Sequence, residues 1–415
     1  MSAPVIAVLA TLDTKGAEAQ FVREELEAAG GQALLVDMGV VGAPGARPDV
    51  TREDVAAAGG RPLAQLLRDP TRQEASPVMV AGATKLLQAR LAAGTLHGVL
   101  GLGGTQGTSN CTAVMQALPY GLPKVMVSTV AAGDCSSFVG IKDVTMMFSV
   151  GDILGLNPLT RKILANAAGA AVGMARSRVT LGARHGDRPL VAISNLGVLT
   201  DGTLRADARL HAAGCETIVF HAIGAGGRAM EQMMKEGLVD AVFDYAMGEL
   251  TDELFHGLRA ADAQRFTVAG RLRLPQVVVP GGSEHVGLLV PANSVPERWR
   301  SHRHVFHNPI ILAPRLAPDE FASVAREACR RLGAAGGPAT LLFPSRGTSR
   351  YAVPGGPLHD PAGDAAFLDE LRRSLPDNVE LVVRDCGAED PVFVDECVDR
   401  LLARVEARTG AAPAG

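Results

Sequence analysis

Short apolar runs alternate with stretches of helical periodicity along almost the whole chain, and that alternation restricts the fold more than any other feature. Residues 4–10 read as a buried strand, 16–29 as an amphipathic helix closed by Gly30-Gly31, and 33–37 as a second strand. Thr51 with Asp54 three residues on has the form of a capping box opening a short helix. A helix over 77–93 then leads to an apolar run ending in glycines, and strands follow at 124–128 and 144–148. Asn157-Pro158 opens an alanine-rich helix reaching about 176. After a charged, glycine-interrupted stretch at 178–189 the pattern restarts. It predicts strands at 190–194, 217–221, 239–243, 276–279, 339–343 and 379–383, and helices at 207–213, 226–236, 318–331, 364–374 and 392–408. Residues 291–309 read as irregular, and 409–415 as a disordered tail. Apolar strands spaced by helices imply parallel sheets covered on both faces. The expected architecture is α/β: two Rossmann-like open parallel-sheet domains, 1–180 and 188–415, with a ligand cleft between them. The halves show no clear sequence repeat.

Composition narrows the function classes. A net charge of −4 gives no electrostatic reason to expect nucleic acid or an anionic membrane. Six cysteines are scattered without a C-x-x-C pair, which argues for a reducing, cytoplasmic setting. The start of the chain has no basic leader, and no apolar stretch approaches the roughly 20 residues that span a bilayer. The expectation is a soluble cytoplasmic protein acting on a small molecule.

Ligands of open α/β sheets sit outside the carboxyl ends of the strands, so those ends are where chemistry is sought. The sharpest is the apolar run of Val99, Leu100 and Leu102 ending in Gly103-Gly104-Thr105-Gln106-Gly107-Thr108. Glycines there let a phosphate approach bare backbone amides, and Thr105 and Thr108 add hydroxyls. The same turn would also serve a plain strand–helix junction. After the first strand, Asp13, Thr14 and Lys15 combine carboxylate, hydroxyl and amine, with helix capping as the simpler role. Ser128, Thr129 and Asp134 follow the strand at 124–128, and Gly151, Asp152 and Asn157 follow the next. No Gly-Lys-Ser/Thr is present, so a P-loop is excluded.

In the second half, Gly224, Gly226 and Ala229 fit G-x-G-x-x-A, with Asp244 twenty residues beyond Gly224 as the acid of a dinucleotide fingerprint. Glu284 beside His285, after Pro280-Gly281-Gly282, suits general acid–base work, or a histidine bonded to backbone. Arg346 suits a substrate carboxylate or phosphate, or a surface ion pair. His302, His304 and His307 lack a neighbouring cysteine or carboxylate in sequence, and no metal ligand set is assigned. Cys135 beside Asp134 reads as a packed small residue before a nucleophile.

The motifs TLDTKG (11–16), LGGTQGT (102–108), LPYGLPKVMVSTVAAGD (118–134) and SVGDILGLN (149–157) resemble a bacterial and plant family of ATP-binding proteins. That family is similar to the N-terminal inhibitory domain of the plant tobamovirus-resistance protein. HAIGAGGRAM (221–230), the Pro280-Gly281-Gly282 turn and His307-Asn308-Pro309 extend the resemblance into the second half. It implies two Rossmann-like domains, a homodimer, and a site for ATP and Mg2+ on the first domain's strand ends. Carried over by motif, the nucleotide candidates are Asp13, Thr14, Lys15, Gly103, Gly104, Thr105, Gly107, Thr108, Ser128, Thr129 and Asp134. Where the family carries a threonine-rich run before Glu249, this chain has Tyr245-Ala246-Met247-Gly248. Where the family carries an acid and a hydrophobe after the Pro-Gly turn, it has Ser283-Glu284-His285.

The resulting expectation is an ATP-dependent enzyme activating a small polar carboxylate. Glu284, His285 and Glu249 are its acid–base candidates, and Gly224, Gly226, Gly227, Gly281, Gly282 and Arg346 its substrate contacts. A nucleotide-responsive regulatory protein without turnover and an NAD(P)-dependent oxidoreductase are the alternatives.

Overall fold

The computed structural model describes residues 3–68, 71–179, 181 and 188–410. They fall into two compact units divided after Leu181. The expected boundary stretch 178–189 and the expected tail lie in part outside the described residues.

The first unit runs β1 (Val5–Ala10), α1 (Leu12–Ala28), β2 (Gln32–Asp37), α2 (Arg52–Ala58), α3 (Leu63–Leu66), α4 (Arg72–Ala92), β3 (Gly98–Gly103), α5 (Thr105–Gln116), β4 (Lys124–Ser128), α6 (Ser136–Val139), β5 (Thr145–Phe148) and α7 (Pro158–Ala175). Its five strands lie in the order β2-β1-β3-β4-β5, every pair parallel. Side chains alternate across a strand, so one sheet carries two cores. Ala7, Leu9 and Val99 pack with Met79, Leu87 and Val114 from α4 and α5. Ile6, Val8 and Leu100 pack with Val22, Leu26, Leu164 and Ala168 from α1 and α7. Gly101 is what lets α5 lie so close: a Cβ there would meet Met126 Sδ at 2.7 Å and Cys111 Cβ at 2.8 Å.

The helix expected from residue 77 in fact starts at Arg72. Thr71 caps it by accepting the amide of Glu74 at 3.3 Å, and Pro77 lies inside it. A proline interrupts one hydrogen bond, which a helix anchored at a cap can spare near its start. The Thr51–Asp54 capping box forms as read, and Asn157 caps α7 through the amide of Thr160.

The second unit runs β6 (Leu190–Asn195), α8 (Thr200–Ala212), β7 (Glu216–His221), α9 (Ala225–Lys235), β8 (Ala241–Ala246), α10 (Gly248–Phe255), α11 (Val268–Arg271), β9 (Gln276–Gly281), β10 (Leu288–Leu289), β11 (His304–Asn308), β12 (Ile311–Pro314), α12 (Pro318–Ala335), β13 (Ala339–Pro344), α13 (Pro361–Ser374), β14 (Val379–Arg384) and α14 (Pro391–Gly410). Six parallel strands lie in the order β14-β13-β9-β8-β6-β7. Counted from each unit's own first strand, this is the order of the first unit with one strand added. The repeat that the sequence hides is topological.

Two stretches differ from expectation. α8 begins seven residues earlier than residue 207, because Gly202 is a packing residue and not a breaker: a Cβ there would sit 2.0 Å from Tyr245 Oη. Within 291–309, β11 pairs antiparallel with β12, which also pairs with β10. Its sequence, HVFHN, is too polar and exposed to signal a strand.

Candidate functional site

In the first unit the strand order reverses between β1 and β3, and open α/β sheets form their ligand crevice at that reversal. A cavity of about 530 Å³ lies there. The turn after β1 supplies Thr11, Asp13, Thr14 and Lys15, and the turn after β2 supplies Met38, Gly39, Val40 and Val41. The turn after β3 supplies Gly103, Gly104, Thr105, Gln106 and Gly107, while Thr71, Ala75, Ser76 and Met79 close the side.

Two helices begin at this cavity. Neither α1 nor α5 has a side-chain cap at its N-terminus. The first-turn amides of α5 and its positive dipole end therefore favour an anion, whereas at the start of α1 the Leu12 amide is already taken by Asp37. Gly103 lets the first turn of α5 close onto the strand end, since a Cβ on it would sit 2.9 Å from the Cα of Gly107. Gly104 faces open space, its nearest neighbour being Thr129 Oγ1 at 3.7 Å from a built Cβ.

Acid groups stand beside these donors. Asp37 Oδ1 accepts the amides of Leu12 at 3.1 Å and Gly39 at 2.8 Å. Burial pushes its carboxyl above the usual range, partly offset by those amides and by Arg52. Asp13 Oδ2 accepts the amide of Gly42 at 3.3 Å, whereas Asp13 Oδ1 is buried without a hydrogen-bond partner. A Cβ on Gly39 would lie 3.0 Å from Asp37 Oδ1 and 3.2 Å from Asp13 Oδ1, so the two carboxylates converge on that glycine. Arg52 fixes the turn by donating to the carbonyls of Val40 and Gly42.

The nucleotide candidates thus divide. Asp13, Thr14, Lys15, Gly103, Gly104, Thr105 and Gly107 are brought together around the cavity. Lys15 reaches the carbonyl of Ile153 with its ammonium, tethering the loop after β5. Thr108 and Ser128 do not reach the cavity: both are fully buried and their hydroxyls bond each other at 2.7 Å. Thr129 donates its amide to Gly103 O at 3.3 Å, and its place is beside the turn. Asp134 is exposed and accepts the amide of Ser136 at 2.8 Å, which holds its carboxyl below the usual range. Sequence reasoning missed Asp37, Gly39 and the α4 wall. Asp37 ends a strand as Asp13 follows one, which is the signal that could have found it.

The second unit corrects several expectations. Its glycine turn at Gly224–Gly227 is filled from within: Glu249 Oε1 accepts the amides of Gly224 at 2.6 Å and Gly227 at 3.1 Å. Glu249 Oε2 accepts Arg265 Nε at 2.6 Å, so both oxygens of this fully buried carboxylate are engaged and it is no free acid or base. A Cβ on Gly226 would strike the carbonyl of His221 at 1.8 Å, and one on Gly227 would strike Glu249 Oε2 at 2.0 Å. Asp244, the expected ribose acid, is paired with Arg265 at 2.5 and 2.6 Å and accepts Ser194 Oγ at 2.7 Å. These glycines are packing residues. So is Gly281, whose Cβ would lie 2.2 Å from Tyr245 O, while Gly282 takes a positive φ of 65° in the turn. Arg346 forms an exposed ion pair with Asp385 at 2.7 and 2.8 Å.

Glu284 and His285 do form a pair. His285 Nδ1 lies 2.9 Å from Glu284 Oε1, and Glu284 also accepts hydroxyls from Thr348, at 2.7 Å, and Ser349. Burial would raise the Glu284 carboxyl, but His285, Arg315 and Ser349 outweigh it and hold the group well below the usual range. The three histidines of the β11 region point to different partners: His302 to Glu320, His304 to the carbonyl of His302, and His307 to Tyr351. Among the described residues no group of three or more His, Cys, Asp or Glu is placed to hold a metal. No described helix is long and apolar enough to cross a membrane.

Residues 4–180 match the N-terminal domain, and residues 188–405 the C-terminal domain, of an uncharacterised protein family designated UPF0261. A protein of that designation from Clostridium tetani (strain Massachusetts / E88) is 34% identical over 402 residues, covering 97% of this chain and 99% of its own. One from Rhizobium meliloti (strain 1021) is 37% identical over 395 residues, covering 95% and 97%. The ToMV resistance protein Tm-1(GCR237) of Solanum lycopersicum is 31% identical over 312 residues, 74% of this chain but 41% of the tomato protein.

Proposed function

The chain belongs to the UPF0261 family, and on that footing we propose that its first unit binds ATP with Mg2+ at the β1/β3 switch point, as the nucleotide site of an ATP-dependent enzyme. The observation that carries the reading is Asp13 Oδ1, a buried carboxylate oxygen without a partner, on the same cavity as the uncapped start of α5. A buried acceptor left unpaired costs about 1–3 kcal/mol, and a hard cation held by oxygen ligands would remove that cost. The amides at the start of α5 and the bare Gly104 turn suit phosphate oxygens, and Thr11, Thr14 and Thr105 offer hydroxyls. A cavity of about 530 Å³ falls within the range of small-molecule sites.

Bound Mg·ATP would supply a phosphoryl or adenylyl group for transfer. The chain's own part is to fix the phosphates by backbone donors and to hold the cation with Asp13. Fixed dipoles of this kind lower the cost of charge developing on a transferring phosphoryl group. The oxidoreductase alternative loses its support because Glu249 fills the second unit's glycine turn.

Calorimetric titration of the full chain with ATP, with and without Mg2+, tests this. Saturable binding that Mg2+ strengthens, and that Asp13→Asn makes indifferent to Mg2+, is expected. Heats equal to buffer dilution in both conditions would overturn the reading.

A further inference from the structure

The second unit holds a smaller cavity, about 200 Å³, at the carboxyl ends of β6, β7 and β9. Its polar lining consists of donors and histidines: Arg259, His285, His221, His307 and Tyr351. Among the described residues no carboxylate lines it. The acids nearby are turned away and saturated. Asp252 accepts Arg259 Nε at 2.9 Å, Arg259 Nη2 at 2.8 Å, and the amides of Arg259 at 2.9 Å and Gly287 at 3.0 Å. Glu284 is taken up by His285, Thr348 and Ser349.

This arrangement pre-sets two groups. Asp252 clamps one edge of the Arg259 guanidinium, leaving Nη1 3.3 Å from His285 Nε2. Glu284 holds His285 by Nδ1, so Nε2 is the ring nitrogen turned toward Arg259. Gly287 has no room for a side chain behind them, since a Cβ would lie 2.9 Å from Arg259 Nε. Opposite, His307 Nδ1 lies 3.1 Å from Tyr351 Oη. The remaining walls are hydrocarbon, from Leu196, Val198, Ile223, Leu258, Ile311 and Ala313.

The geometry points to a binding site for a small monocarboxylate with a short apolar body. The carboxylate accepts the Arg259 Nη1 N–H that is not directed to His285 Nε2, and the hydrocarbon lies against Ile223, Leu258 and Ile311. A guanidinium nitrogen at the cavity wall with no acid facing it there favours an anion over a cation, though Arg259 Nη2 is itself taken by Asp252 and by the His285 carbonyl at 2.9 Å. The apolar walls disfavour a fully hydrated ion such as phosphate. At this volume the ligand is below drug size. The assignment stands on the second unit alone and does not depend on the nucleotide reading.

Titration of the full chain with butyrate, inorganic phosphate and butylamine tests it, together with a charge-reversal pair at Ile223. That side chain is 42% exposed, so either charge is tolerated by the fold. Saturable butyrate binding is expected, with phosphate and butylamine at least tenfold weaker. Ile223→Asp should weaken butyrate at least tenfold more than Ile223→Lys does. The inference is overturned if butyrate does not saturate, if phosphate binds as tightly, or if the two Ile223 variants lose binding equally while circular dichroism shows both folded.

Discussion

The carboxylate of Glu249 accepts the backbone amide of Gly224 at 2.6 Å, occupying from within the turn that a dinucleotide phosphate would need. The same oxygen also accepts the Gly227 amide, and the other pairs with the buried Arg265. Glu249→Ala should destabilise the second unit by roughly 3–5 kcal/mol, because it leaves a buried guanidinium short of a partner. Urea unfolding measures that loss. The wild-type chain should show no thermal shift with NAD or NADP.

Adjacent glycines of the first unit should behave differently. A Cβ at Gly103 would press on backbone, 2.9 Å from Gly107 Cα, whereas one at Gly104 finds nothing nearer than 3.7 Å. Gly103→Ala should lower the melting temperature by several degrees and impair ATP binding. Gly104→Ala should melt like wild type yet bind ATP about tenfold more weakly, about 1.4 kcal/mol. Scanning calorimetry and titration on the same samples separate the two effects.

Burial pushes the Glu231 carboxyl up to about 8, despite Arg265 beside it. As pH rises from about 4.5 to about 8, the unfolded chain gives up a proton that the folded chain keeps, so stability falls across that window. Glu231→Gln is neutral throughout and should flatten the profile. Its advantage over wild type should grow toward pH 8, by up to about 1.4 kcal/mol for each unit between the two values. Parallel profiles would contradict the burial argument.

Two residues that the sequence offered as ligand contacts should prove structural or neutral. Thr108→Val leaves the buried Ser128 hydroxyl without its partner at 2.7 Å and should cost about 1–2 kcal/mol with ATP affinity unchanged. Arg346→Ala removes an ion pair whose side chains are 58% and 72% exposed, and should alter stability by no more than about 0.5 kcal/mol. Chemical denaturation and nucleotide titration check both.

Strand–helix alternation was legible because each buried strand is a short apolar run and each helix repeats its buried positions every three to four residues. Helix starts were harder. Pro77 and Gly202 look like breakers in one dimension, yet the first follows the Thr71 cap and the second makes room for Tyr245. The turns after β1 and β3 were readable as a site because glycine, threonine and aspartate cluster there. Asp37, Arg259 and Tyr351 were not, since each joins its site only through strand order or a distant loop. Gly224–Gly227 misled for the same reason: the side chain that fills the turn comes from Glu249, more than twenty residues on.

On the proposed reading, phosphate oxygens meet the α5 start beside Asp13. Crystals of the full chain grown with Mg2+ and a non-hydrolysable ATP analogue test it most directly. Density for the triphosphate is expected over Gly104 and Thr105, with the metal against Asp13 Oδ1. A cavity left empty under saturating analogue, or the analogue bound at another place, would contradict it.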